Sequence, residues 1–460
     1  SFTIAATTIS TPIQVDWGNG TLTDYTIHTG NSNVSGTLTG KTIKIYGVGI
    51  STLQLLSKNL TALDISGATA LREIYCSSNQ LTSLDVTKNT ALTALYCTLN
   101  HLTALDVSKN NALTDLQCQM NQLTALDVTK NAVLTKFLCN INRLTALDVS
   151  KNIALTDLLC NSNLLTVLDV SKNIALTYLY CDSNQLTNLD VSKNIALTNL
   201  NCASNQLTAL DVTKNTALTQ LDCGATQLTA LDVTKNNALT ILWCYSNWLT
   251  TLDLSKNTAL TRLECASNQL TALDVSKNTA LIRLHCYSNQ LTNLNITKNT
   301  ALTYFVCGLN KLTTLDVSKN IALTHLYCNS NQLTALDISK NTALTILECG
   351  SNKLTSIDFT KNTSLNTFKC ESNIFNFATL PIKQNAWTTY TYSPQAKIVL
   401  QKKNYTLSET IDLSSQLTAN GNTTSYIWKT KGGTTLSTGT DYSIANGVTT
   451  FLKVQTDSVY

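Results

Sequence analysis

Apolar residues recur along this chain with a period of 21. Leucine fills all fifteen positions of one column, from Leu60 to Leu354, and all fifteen of another, from Leu71 to Leu365. Cysteine fills a third column at 76, 97, 118 and onward to 370, with no insertion anywhere. A chain keeps such a phase over about 300 residues only when each unit is one turn of a stacked coil. One unit, Leu207 to Gln227, reads LTALDVTKNTALTQLDCGATQ and divides into two similar halves. In each half the first, fourth and sixth residues are apolar and the fifth is not, the period-two alternation of a strand. The pattern predicts a mainly β solenoid of about 15 turns of 21 residues, with parallel sheets on two faces and β caps at its ends.

The polar columns are as regular as the apolar ones. Asn occupies 14 of 15 places in the column of Asn79, Thr226 being the exception, and all 14 places in the column of Asn89. Asn tolerates turn conformations and bonds backbone groups with its side chain, so each is expected to close a corner. Pro is absent between Asn59 and Asn376, which suits unbroken ladders. The D-V-S/T-K-N stretch lacks helical periodicity and reads as a second strand. The halves L-T-x-L-D-V and L-T-x-L-x-C resemble bacterial leucine-rich repeats of the 21-residue nested type and are similar to the repeats of internalin-like surface proteins. The resemblance covers residues 60 to 373. It implies a leucine-rich-repeat solenoid of a binding protein, with an Ig-like module after the repeats. Internalin-type units usually carry a helical or 3₁₀ back side, and this chain departs from that.

The ends break the repeat and suggest three regions: an N-terminal β cap over 1–55, the solenoid over 56–373, and a C-terminal cap with an Ig-like β-sandwich over 374–460. Near the start, Val15-Asp16-Trp17-Gly18-Asn19-Gly20 contains the Asn-Gly hairpin signal and resembles the turn that opens many exported bacterial β modules. Phe359, Phe368, Phe375 and Phe377 are expected to seal the last apolar layer. Further on, turns are expected at Ala419-Asn420-Gly421 and Gly432-Gly433, and Trp428 as the core Trp of the sandwich. Ser1 in place of Met is expected to mark a mature form whose signal peptide has been removed, and Tyr460 to fall inside a strand (Val448 to Tyr460) of a longer chain.

Net charge is +4 and only 13% of residues are charged. The Lys column (Lys88 to Lys361, 14 members) lies three residues after the Asp column (Asp64 to Asp358, 14 of 15, with Asn295 replacing one), so the two cancel, and no basic patch favours nucleic acid. No apolar run is long enough for a spanning helix. An odd count of 15 cysteines in parallel register argues for buried thiols rather than disulfides, and the spacing lacks the paired C-x-x-C of zinc sites. Calcium on the Asp ladder would need a Gly-rich turn that is missing. No cofactor, metal or catalytic constellation is expected. The carboxylates Asp222 and Glu264 share a column, but on an open face that excludes little water. The Thr columns raise the possibility of ice binding, although those Thr lie at strand starts rather than in paired outward rows.

What varies between repeats is the outward side of the cysteine half. Trp243, Tyr245 and Trp248 share one repeat; Arg262, Arg283, His285, Tyr287, Tyr304, His325 and Tyr327 occupy the next four; Tyr178 and Tyr180 form a smaller group. Trp, Tyr and Arg are the residue types that carry interface energy. These twelve are the candidate ligand-binding residues; cross-strand aromatic stacking that only stabilises the sheet is the competing reading. The expected function is that of a secreted or cell-surface bacterial protein that binds a protein or carbohydrate on a host or neighbouring cell. The alternative is a passive spacer of the cell envelope.

Overall fold

The computed structural model describes residues 1–376, 379–395, 408–414, 418–419, 422–423, 427–429 and 434–452. The chain is mainly β and forms two compact units, Ser1–Leu260 and Thr261–Tyr460.

The first unit opens with six cap strands: β1 (Phe2–Ala6), β2 (Thr11–Asp16), β3 (Leu22–Ile27), β4 (Ser32–Val34), β5 (Lys44–Gly47) and β6 (Ile50–Gln54). β2 lies between β3 and β5 in an antiparallel sheet. The expected turn at Asn19-Gly20 joins β2 to β3. The Asp16 carboxylate accepts the amides of Gly18 and Gly20 at 2.8 and 2.9 Å, which holds its pKa below the usual carboxylate range. Both glycines have positive φ, 110° and 80°, where a side chain would be strained. β1 pairs antiparallel with β4 and β6, and β6 pairs parallel with the first repeat strand, Leu53 facing Ile74. The cap thus covers the first layer and presents its edge to the repeats.

Nine repeat strands follow in this unit, each three residues long, from Glu73–Tyr75 to Ile241–Trp243. Each is parallel to the next, in register. The middle residue of each strand and the following cysteine point inward and are fully buried; the two flanking residues point out. All fifteen cysteines of the chain are free and buried. Burial pushes the Cys76 and Cys118 thiols up to about 12 and that of Cys97 well above its ordinary value. They act as small apolar residues, not as thiolate ligands or nucleophiles.

The Asn columns do what corner residues must. Asn100 donates to the carbonyls of Cys76 and Cys97 and accepts the amide of Leu81, so one side chain ties two turns together. Just before each such Asn stands a left-handed residue, with φ between 50° and 59° at Ser78, Leu99, Met120, Ile141 and their counterparts. This conformation costs a non-glycine residue about 1–2 kcal/mol. The Asn bonds on either side over-determine it. The Thr column also looks inward for partners: the hydroxyls of Thr93 and Thr114 donate to the carbonyls of Arg72 and Thr93, both at 3.1 Å.

The expected second sheet does not form. Leu81–Val86 and its counterparts carry no ladder strand. The amides that would build a ladder are taken by side chains: that of Leu81 by Asn100 and that of Thr87 by the Asp85 carboxylate at 2.8 Å. Two successive turns follow, Asn89 N–H to Val86 C=O at 3.0 Å and Leu92 N–H to Asn89 C=O at 3.1 Å. One backbone bond per turn remains on this side, as from Gln80 to Leu60 and from His101 to Leu81. The Asp column is therefore a turn-forming column, its members held in the ionised form chiefly by Ser or Thr hydroxyl and amide donors and only weakly by Lys.

The second unit repeats the same architecture in six strands, Arg262–Glu264 to Thr367–Lys369, and adds a parallel strand, Thr389–Thr391. Its last layer is sealed by aromatics. Trp387 packs edge-on against Phe359 and Phe368, each at 5.0 Å, and Tyr390 stacks on Phe368. Phe359, Phe368 and the buried Phe375 are where the sequence places them; Phe377 lies outside the described residues, and Trp387 is an addition. Beyond this, strands Thr410–Asp412, Tyr442–Ala445 and Val448–Phe451 form an antiparallel sheet with a tight Asn446-Gly447 turn. Trp428 is buried there, edge-on to Phe451, with its indole N–H on the Thr449 hydroxyl at 3.0 Å. Among the described residues a further antiparallel ladder pairs Thr418–Ala419 with Asn422–Thr423; the expected turn residues Asn420, Gly421, Gly432 and Gly433, and residues 453–460, lie outside the described residues.

Candidate functional site

The repeat places every candidate residue on or beside the outward side of the parallel sheet. Its inward neighbours are locked in the core, so the outward side chains stand on a rigid floor. Strand spacing of ~4.8 Å then sets which of them meet.

In the first unit, Tyr178 and Tyr180 flank buried Leu179 and project outward; Tyr178 is exposed. Trp243 follows buried Leu242 in the strand Ile241–Trp243. Tyr245 lies with its ring against the backbone of Gly224, where a Cβ would meet ring atoms at 2.4 Å. A side chain at position 224 would displace the Tyr245 ring. Trp248 lies past the left-handed corner at Ser246 and is exposed.

Two features of this unit escape the sequence reading. Tyr75 and Tyr96 stack at 4.5 Å with an interplanar angle of 13°. Tyr75 donates to Glu73 and Tyr96 to Asp115, and burial with these carboxylates pushes both phenol pKa values up. Their signal was two tyrosines in one column of successive repeats. The other feature is a run of bulky apolar side chains, Leu99, Met120 and Ile141, exposed at three successive left-handed corners. Here most turns place Ser, and only backbone angles show that the position is strained.

In the second unit, the structure brings five candidates together around Tyr304. Its ring stacks on His325 at 4.9 Å and meets His285 at 5.3 Å and Tyr327 at 5.5 Å. The Arg283 guanidinium stands 5.8 Å from its centroid. Arg262 and Arg283 are in-register partners on adjacent strands, and both are exposed. Burial and then Arg283 push the His325 pKa down, so its ring is neutral at neutral pH, with Nδ1 2.8 Å from the Thr324 hydroxyl. His285 Nδ1 is 3.7 Å from Glu264. At the far side Lys369 and Glu348 form an ion pair at 2.8 Å, whose hydrogen bond raises the Lys pKa. Tyr287, in the column after cysteine, is half-buried and has no ring contact with this cluster. Of the two column carboxylates, Asp222 accepts the amide of Gly224 at 3.0 Å, and Glu264 serves His285.

No group of three or more metal-binding side chains gathers among the described residues, and none of their helices is long and apolar enough to cross a membrane. In each unit the arrangement is an outward face of aromatic and charged side chains on parallel strands, suited to contact.

Such a face on 21-residue turns defines a leucine-rich-repeat protein. No family model matches the chain, and no curated protein does. Among solved structures, the functional domain of InlJ from Listeria monocytogenes, which includes a cysteine ladder, is 34% identical, with 88% of this chain and 85% of that chain covered and a TM-score of 0.76. The chain belongs to the internalin-like leucine-rich-repeat family of that protein. A leucine-rich-repeat protein of Leptospira interrogans is 25% identical over 70% of this chain and 90% of its own, with a TM-score of 0.64. An internalin, InlF, from Listeria monocytogenes is 22% identical over 62% of this chain and 87% of its own, with a TM-score of 0.53, and shows the fold alone.

Proposed function

We propose that this is a secreted or cell-surface bacterial binding protein that engages a protein on another cell through the outward side of its parallel sheet. The observation that carries the reading is the contrast between columns. The inward columns are nearly invariant and buried, and the Asn columns at the corners are nearly invariant and bonded within the chain, whereas the outward columns change from turn to turn and gather Tyr, Trp, Arg and His. In the second unit these form a half-buried cluster around Tyr304 with arginines at its exposed edge. Rigid aromatics lose little entropy on contact, and such residues dominate interface energies. The Ig-like module after the repeats belongs to the same proposal, as a spacer between the solenoid and whatever follows.

Site-specific photo-crosslinking tests this. A crosslinking residue at Tyr304 or Tyr178 should capture a defined protein from extracts of animal or bacterial cell surfaces, and one at Lys151, on the corner away from the sheet, should not. Equal capture from both positions, or none from either, would leave the passive-spacer reading in its place. Loss of capture after enzymatic deglycosylation of the extract would make the partner a glycan.

A further inference from the structure

The arginine pair at the edge of the Tyr304 cluster has no ion pair among the described residues. Arg262 and Arg283 face each other in register across parallel strands, and like charges so placed destabilise a sheet. Among the described residues, neither guanidinium has an ion-pair partner within 4.0 Å: Glu264 is turned to His285, and Glu348 to Lys369. Glu264 and Glu348, the carboxylates on the repeat strands of this unit, are thus engaged elsewhere, and two exposed cationic forks are left side by side.

We propose that Arg262 and Arg283 form the recognition centre of the second unit for a carboxylate-bearing segment of a protein partner, an acidic stretch with apolar flanks. The proposal rests on the reading of this face as protein-binding and names the chemistry of what it binds. One carboxylate between the two guanidiniums removes their repulsion and offers each a charge-assisted hydrogen bond. Tyr304 stands beside the Arg283 head, and its own ring is held by the stack on His325, so that fork is kept in place before the partner arrives. Ile282, exposed next to Arg283, offers an apolar contact to the flank. Glu264 lies on the same strand as Arg262 and repels further negative charge. That favours a single carboxylate over a phosphate dianion or a polysulfated chain.

The test measures fluorescence anisotropy with four labelled probes: a peptide alternating glutamate with leucine, its glutamine counterpart, its phosphoserine counterpart and a heparin oligosaccharide. The glutamate peptide should bind, more weakly as salt rises, and the glutamine peptide should not. Arg262→Ala and Arg283→Ala should each weaken binding about tenfold, the size expected for a charge-assisted hydrogen bond. The double substitution to glutamate should abolish it. Lys151→Ala, on the corner away from the sheet, should change nothing. Thermal melting of Arg262→Gln should match or exceed that of the unaltered chain, which separates lost binding from lost folding. Equal binding of the glutamate and glutamine peptides overturns the anion reading and leaves protein binding standing. Binding of only the phosphoserine peptide or heparin transfers the site to another anion and also overturns it. If no probe binds, the inference fails by itself, because crosslinking at Tyr304 decides the wider reading separately.

Discussion

At the residue scale, the chain works by diverting backbone groups to side chains in columns. The one break in the Asn79 column shows how much each member contributes. Asn205 donates to the carbonyls of both Cys181 and Cys202 and accepts the amide of Leu186 at 2.9 Å. Thr226, one turn later, has a single hydroxyl, which sits 3.0 Å from the Cys223 carbonyl and 2.6 Å from Asn247 Oδ1. The Cys202 carbonyl and the Leu207 amide are the groups an Asn would add. Thr226→Asn should therefore raise the urea midpoint, by about 1 kcal/mol of stability for one net hydrogen bond regained. A lower midpoint would mean that the short Thr226–Asn247 contact outweighs them. That Asn closes corners was legible from its column. That the residue before it is left-handed was not, because Ser, Leu, Met and Ile share that place and none of them signals positive φ.

At the scale of the element, the corner on the Asp side is a turn built around an ionised carboxylate, and this gives a pH dependence. Hydrogen bonds from the Ser or Thr two residues on lower the folded pKa of Asp85, Asp106, Asp127 and their counterparts. A carboxyl group whose folded pKa lies below its unfolded value contributes stability that is fully present above the unfolded pKa. That contribution is lost as pH falls through the folded pKa. Melting temperature should therefore hold steady from neutral pH to about 5 and fall below about pH 4, near the unfolded Asp value. Asn295 shows that an amide serves the same turn without titrating, since its Oδ1 accepts the Thr297 amide at 3.0 Å. The triple substitution of Asp85, Asp106 and Asp127 by Asn should flatten the acid limb. An unchanged limb would assign acid sensitivity to other groups. The same carboxylates explain why a second sheet, expected from alternation in L-T-x-L-D-V, is missing. Alternation shows which side chains face inward but not whether the backbone amides find a neighbouring strand.

At the scale of the molecule, stability is the sum of a turn and its contacts with the next, so the repeat number should be adjustable and the phase should not. Removing Leu123 to Arg143, one full turn of the first unit, joins Gln122 to Leu144 in register. That variant should fold with the same circular dichroism per residue. Removing one residue fewer, Leu123 to Asn142, puts the apolar columns on the wrong side and should give an aggregated product. If both deletions fold alike, the columns do not set the register.

The sequence by itself determined the period, the inward columns, the buried cysteines and the candidate side, because a repeated burial pattern can be satisfied only by stacking equivalent positions. Only the tertiary structure decided which candidates meet. It gathered Arg283, His285, His325 and Tyr327 around the Tyr304 ring, kept Tyr287 apart from it, set Tyr245 onto Gly224, and left Arg262 beside Arg283 without an ion pair among the described residues. The reason is physical: spacing along a strand places Cα atoms, whereas ring contacts and ion pairs depend on how side chains share the space above a common floor.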